Sequence, residues 1–191
     1  MLVPTDTVYG LAAALDRPEG VAALYALKGR PRTQPSQVLV YSAALLDEAL
    51  ALLDSRTRGA ADALLPGPAT CLVPDPVGRF ALAAGGSPGT VGVRAPRMDG
   101  PIVDLELFLV ATSANEPGQP DPARLGEVPA RLRAGASAEF DLGELPGTPS
   151  AVVDLRAVAG GGPARLVRPG PDPGAMEAAI AAAGVPLVRP A

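Results

Sequence analysis

The stretch Leu107-Phe108-Leu109-Val110-Ala111-Thr112-Ser113-Ala114-Asn115 sets the expected architecture. Its opening residues are an apolar run without polar alternation, the pattern of a strand buried on both faces. It then breaks into hydroxyls and an amide, and a Gly/Pro-rich segment follows, so the strand is expected to end in a polar turn. Other segments repeat this pattern. Met1-Leu2-Val3 runs into Pro4-Thr5-Asp6-Thr7, and Val38 to Tyr41, Ala69 to Val73, Thr90 to Arg94, Ser150 to Leu155 and Ala164 to Val167 read as further strands.

Helical signals lie between them. Asp16-Arg17-Pro18-Glu19 reads as a helix start, Val21, Leu24 and Leu27 recur at helical spacing, and Gly29 and Pro31 stop the helix. Lys28 and Arg30 are therefore expected at a helix C-terminus. Ser42 reads as the N-cap of a helix whose Leu45, Leu46, Ala49, Leu50 and Leu53 form one stripe. A second helix is expected from about Thr57 to Leu65, ended by Pro66-Gly67-Pro68. Asp121-Pro122 opens a weak helix that Gly126 and Pro129 interrupt, and Asp172-Pro173 opens a closing one through Met176 and Ile180 to Gly184. Strands and helices interleave without a repeat or linker, which predicts a single α/β (α+β) domain over residues 1–191, a sheet with helices against it.

Composition narrows the chemistry. The 191 residues are 48% hydrophobic and 19% charged, enough for one good core, and the 22 glycines and 23 prolines are scattered as loop punctuation. No apolar run approaches the ~20 residues of a membrane span, and the N-terminus lacks the features of a signal peptide, so a cytoplasmic protein is expected. The single cysteine, Cys71, reads as a core residue. There is no histidine, which removes Ser-His and Cys-His nucleophilic pairs, His metal ligands and His acid/base chemistry together. A net charge of -4 and a pI near 4.8 give no general attraction to a polyanion, so any phosphate site must be locally basic.

Four polar segments border apolar strands or helices: Thr5 to Tyr9, Lys28 to Gln34, Ser113 to Asn115, and Ser150. Arg94 and Arg168 each end a strand-like run. Hydroxyls, an amide and fixed cations at strand ends suit a nucleotide phosphate and an amino acid. Each residue also has a plainer reading. Lys28 and Arg30 could complement a helix dipole, Ser113 and Asn115 could form a turn, and Arg94 and Arg168 could be solvated edge charges. No phosphate-binding Gly-x-x-x-x-Gly-Lys-Ser/Thr loop is present, and Gly160-Gly161-Gly162 lacks the flanks of a dinucleotide fingerprint.

Pro4-Thr5-Asp6-Thr7-Val8-Tyr9-Gly10-Leu11, Lys28-Gly29-Arg30-Pro31, Pro66-Gly67-Pro68-Ala69-Thr70, Val91-Gly92-Val93-Arg94-Ala95-Pro96, Ser113-Ala114-Asn115, Ser150-Ala151-Val152-Val153-Asp154 and Arg168-Pro169-Gly170 together resemble the YrdC-like family. They occur in the family's order over roughly residues 1 to 170. The resemblance implies a twisted mixed sheet with flanking helices around a large concave cavity. The implied activity is that of an L-threonylcarbamoyladenylate synthase: threonine, bicarbonate and ATP give threonylcarbamoyl-AMP and pyrophosphate, a nucleotidyl transfer serving tRNA modification. Partner transferases would carry the group on to tRNA. By motif, the resemblance puts Thr7, Arg94, the backbone around Ala111 and Ser150 at threonine. It puts Arg30, Gln34, Thr90, Ser113, Asn115, Asp121 and Arg168 near ATP, and gives Lys28 and Arg30 the catalytic role of stabilising transition-state and pyrophosphate charge. Mg²⁺ would enter with ATP, held mainly by its phosphates with no dedicated protein metal site. No general base is implied.

The departures carry expectations too. The family has a helix and most of a strand before its Pro-Thr-Asp-Thr motif, so the chain is expected to be either a late start or a trimmed member. The long forms' extra C-terminal domain is not expected. Ser36-Gln37 replaces an apolar pair, and Leu39 stands where many members carry a threonine-contacting histidine, which points to weaker threonine binding. Asp121 stands where Ser or Thr is common, and its charge calls for Mg²⁺ between it and phosphate. The rival reading is a non-catalytic double-stranded-RNA-binding or ribosome-maturation protein; the acidic pI predicts weak RNA binding at most. A carbamoyl-transfer module of hydrogenase maturation is a third reading, but those modules sit in long multidomain chains.

Overall fold

Alternation along the strands assigns the two faces of a single nine-stranded sheet, which a computed structural model describes over residues 1–189. The strands are β1 (Leu2–Val3), β2 (Gly10–Ala14), β3 (Gln37–Leu39), β4 (Ala69–Pro74), β5 (Thr90–Arg94), β6 (Leu109–Ser113), β7 (Ala151–Asp154), β8 (Ala164–Arg168) and β9 (Leu187–Val188). Their order is β1-β2-β6-β3-β5-β4-β7-β8-β9, with parallel pairs at β3–β5, β4–β7 and β8–β9 and antiparallel pairs elsewhere. The helices are α1 (Pro18–Lys28), α2 (Ala43–Ala49), α3 (Ser55–Asp62), α4 (Ala81–Ala84), α5 (Ala130–Ala134) and α6 (Pro173–Ala182). This is the mixed α/β arrangement expected from the sequence. Among the described residues no helix is long and apolar enough to cross a membrane.

Successive strand residues point to opposite faces. One face turns Val38, Val110, Val93, Cys71 and Val153 into the main core against Val21, Leu24, Leu46, Leu50 and Phe80. Cys71 is fully buried there, and burial pushes its thiol up to about 12, so it is the core residue the sequence predicted. On the other face Gln37 lies opposite Gly92 on one side and Ala111 on the other, and Thr70 lies on the next strand over. Small and polar residues there leave a hollow. A second apolar cluster of Val3, Ala12, Leu39, Tyr41 and Leu109 closes that face at one end.

Local chemistry sets the helix ends. Pro18 opens α1, and Gly29 ends it in the left-handed region at φ 66°, where its N–H reaches Ala26 O. Ser42, Asp54 and Asp172 each accept a backbone N–H at the start of α2, α3 and α6. The expected second helix therefore starts at Ser55 rather than Thr57, because Asp54 caps it.

Two further expectations are corrected, and one strand lies where the sequence pattern predicts none. The apolar run at Leu107 joins the sheet only at Leu109: Leu107 is exposed, and the Phe108 ring packs 5.5 Å from that of Phe80. No helix opens at Asp121-Pro122, because Pro122 O accepts the Tyr9 N–H at 2.9 Å and pins the segment to the N-terminal turn; a 3-10 turn at Leu125–Glu127 and α5 follow. That strand is β2, alanine-rich and of poor strand propensity, and it is held by paired neighbours on both sides.

Candidate active site

The hollow face carries a cleft of about 310 Å³, at the small end of ligand-pocket volumes. Its wall begins with the turn after β1. The Thr5 hydroxyl accepts from the Thr7 and Val8 N–H groups at 3.2 and 3.1 Å and donates to Val8 O at 2.7 Å, a side-chain-closed turn that fixes Thr7 at the cleft. The Gly147 N–H bonds Thr7 O at 2.9 Å, so the chain before Ser150 closes over the same turn.

Beneath the turn, Arg94 is 1% exposed. Its guanidinium pairs with Asp6, donates to Gly67 O and reaches the Thr7 hydroxyl at 3.4 Å. Asp6 also accepts the Arg97 N–H at 2.9 Å. Arg94 is neither a solvated edge charge nor part of the cleft lining: it is buried against Asp6 and Gly67, and it holds the threonine turn from behind. Desolvation lowers its pKa, against the opposing charge of Asp6.

Lys28 is likewise behind the wall. Its ammonium leaves the end of α1 and donates to Ser113 O at 2.7 Å, Asn115 Oδ1 at 2.6 Å and Asn115 O, which uses all three of its hydrogens. The Ser113 hydroxyl donates to Asn115 Oδ1 at 2.7 Å, and the Asn115 amide donates to Gln119 O at 2.6 Å. Lys28 and the Ser-x-Asn pair are thus one network, and Lys28 shapes the turn rather than lining the cleft. Burial, then the charge of Arg30, pushes Lys28 down to about 8, with Asp121 and Glu116 opposing.

Arg30 lines the cleft, donating to the Thr112 hydroxyl at 2.6 Å and to Pro35 O at 2.9 Å. Burial lowers its pKa. On the floor the Thr70 hydroxyl donates to Gln37 Oε1 at 2.9 Å and shares a 3.1 Å hydrogen bond with the Ser150 hydroxyl. Arg168 Nε donates to Ser150 O at 3.0 Å, from the far rim. Asp121 lines the cleft, and among the described residues its carboxylate makes no hydrogen bond or ion pair.

Of the residues singled out in the sequence, Thr7, Arg30, Ala111, Ser113, Asp121, Ser150 and Arg168 border one cavity. Lys28, Asn115 and Arg94 stand directly behind it. Gln34 and Thr90 fall outside. The Gln34 side chain is exposed while its carbonyl accepts from the Tyr25 hydroxyl, and Thr90 sits at the far end of β5 opposite Pro74. Thr5 lies in a polar segment the sequence singles out, while Gln37, Thr70 and Thr112 carry no site role in the sequence reading. Their signal is present: each of these three is a polar residue in an otherwise apolar strand.

The loop before β3 is packed against a glycine pair. Gly85 has φ 59°, and a Cβ there would stand 2.8 Å from Pro35 N. Gly85→Ala is therefore expected to lose about 2 kcal/mol or more of stability through strain and displaced backbone, read as a lower denaturation midpoint.

A mixed sheet whose open face gathers hydroxyls, an amide and two arginines in one cleft defines an α/β protein with the make-up of a small-molecule site. The chain belongs to the Sua5/YciO/YrdC family, described as telomere recombination, whose sequence model matches residues 1–170. It is 34% identical over 148 residues to the threonylcarbamoyl-AMP synthase of Alkalilimnicola ehrlichii, covering 75% of each chain. It is 32% identical over 172 residues to the threonylcarbamoyl-AMP synthase of Pyrococcus abyssi, covering 87% of this chain and 49% of that one. The crystal structure of P. abyssi Sua5 complexed with L-threonine superposes with a TM-score of 0.79 at 29% identity, covering 98% of this chain and 55% of that one. The chain thus spans about half the length of the archaeal protein.

Proposed function

We propose that the chain is an L-threonylcarbamoyladenylate synthase. The observation that carries this is one cleft lined both by hydroxyls, Thr7 and Ser150 among them, and by the guanidinium of Arg30. The first suit an amino acid, the second a polyphosphate. Relatives named threonylcarbamoyl-AMP synthase and a threonine-bound relative of the same fold support the reading.

In the proposed reaction threonine and bicarbonate give a carbamate with loss of water. A carbamate oxygen then attacks the α-phosphorus of ATP, and the bond to the departing pyrophosphate breaks. Alignment and charge stabilisation carry such a transfer, so a chain without histidine can perform it. Arg30 and Arg168 would face the polyphosphate, while Lys28 keeps Ser113 in place and Arg94 keeps Thr7 in place. Mg²⁺ would neutralise phosphate charge when bound. The residues fit that ion in its usual mode: Asp121 offers one unpaired carboxylate at the cleft, and the described residues contain no cluster of three metal-binding side chains. Downstream, transferase proteins would pass the threonylcarbamoyl group to tRNA.

The test is pyrophosphate release with ATP, Mg²⁺ and bicarbonate, with and without threonine. Threonine-dependent release is expected, falling at least tenfold in Arg30→Ala through loss of a charged contact to phosphate. A folded protein that releases pyrophosphate at the same rate without threonine overturns the reading.

A further inference from the structure

The loop from Thr33 to Ser36 presents a fixed surface to the cleft. Gly86 donates to Thr33 O at 2.7 Å, Ser36 N–H donates to Ala83 O at 2.9 Å, and Gln34 N–H donates to Pro31 O at 2.9 Å. Close packing of Gly85 on Pro35 leaves this backbone little room to move. On it the Ser36 hydroxyl is shielded from solvent, borders the cleft and has no hydrogen-bond partner. Arg30 Nε shares that condition, and its guanidinium is bonded to the same loop at Pro35 O.

Burying a hydroxyl or a guanidinium N–H without a partner is unfavourable, and such groups call for an explanation. The only other shielded side-chain polar atom in this state among the described residues is Thr57 Oγ1, on α3 and outside the cleft lining. Two donors, one of them cationic, belong to residues that border one cavity and lack an acceptor. The anionic oxygens of a bound ligand would supply the acceptors.

We propose that Ser36 is a nucleotide-binding residue, its hydroxyl donating to a phosphoryl oxygen of the triphosphate beside Arg30 Nε. This rests on the synthase reading and adds to it a contact at a position where the resemblance implies an apolar side chain. The loop backbone is already held, so the contact needs only a turn of the shielded Ser36 side chain toward the cleft and no ordering of backbone.

The test is Ser36→Ala, measured against the unaltered chain by thermal denaturation and by titration with Mg-ATP, pyrophosphate and threonine separately. Loss of a hydrogen bond to a charged group predicts roughly tenfold weaker binding of ATP and pyrophosphate, with threonine binding unchanged. The free variant is expected to melt no lower than the parent, because the hydroxyl removed has no partner. A structural role predicts the opposite, a lower midpoint with ATP and threonine weakened together, and that result overturns the proposal. Equal ATP affinity in the two proteins also overturns it while leaving the synthase reading intact. A parent chain that binds neither ATP nor pyrophosphate overturns both.

Discussion

Asp6→Ala is expected to lower the unfolding free energy by about 3 to 5 kcal/mol, among the largest effects any single substitution in this chain should produce. The substitution leaves the guanidinium of Arg94, 1% exposed, without its carboxylate in the interior. Removing one partner of a buried pair is far worse than removing both, because the remaining charge stays desolvated. The double variant Asp6→Leu with Arg94→Met should therefore recover much of the stability lost by Asp6→Ala. Activity should not return with it. Arg94 also reaches the Thr7 hydroxyl, and Asp6 ties the turn to Arg97, so an apolar replacement restores packing without the turn's anchor. Denaturant unfolding and threonine-dependent pyrophosphate release, measured on all three proteins, separate the two effects. Asp6→Ala within 1 kcal/mol of the parent would show that Arg94 has another outlet.

Lys28 gives the second large effect. Its three donors organise the Ser113 to Asn115 turn, and displacing groups at a reacting centre by an ångström costs about 100-fold in rate, the loss expected for Lys28→Met. Because burial and Arg30 push the ammonium down to about 8, pyrophosphate release in the parent should also fall as pH rises through that value. Stability should respond in the opposite sense. Between about 8 and the ordinary value of 10.5 the unfolded chain holds a proton on this lysine that the folded chain has lost, so this residue's contribution to stability rises with pH across that window. Other groups titrate there, and the readout is the difference between parent and Lys28→Met. Equal slopes of stability with pH in the two proteins would show that Lys28 keeps its proton throughout.

What the sequence disclosed follows from the range of the forces involved. α1 could be placed because Pro18 and Gly29 punctuate it locally, and β5 because the run from Thr90 to Arg94 is apolar between clear breaks. β2 could not, because the β1 and β6 ladders that hold it come from elsewhere in the chain. The site was legible as a set of polar strand ends, and most of those residues do meet at one cleft. Their layering was hidden. Whether an arginine faces a ligand or a buried aspartate depends on the face its strand presents and on what packs behind it, and this separates Arg94 from Arg30. Gln37 and Thr70 were concealed because single polar residues inside apolar strands read as noise until register sets them side by side.

The strand order has a consequence for how binding and folding relate. Residues from Thr5 to Arg168 border the cleft, and the floor joins Thr70 to Ser150 across 80 positions of chain. No fragment that omits either end of this span can form the pocket, so ligand recognition is an all-or-none property of the chain rather than of any segment. A ligand bound here draws its stabilisation from the whole fold at once and should delay proteolysis at sites far from the cleft as much as beside it.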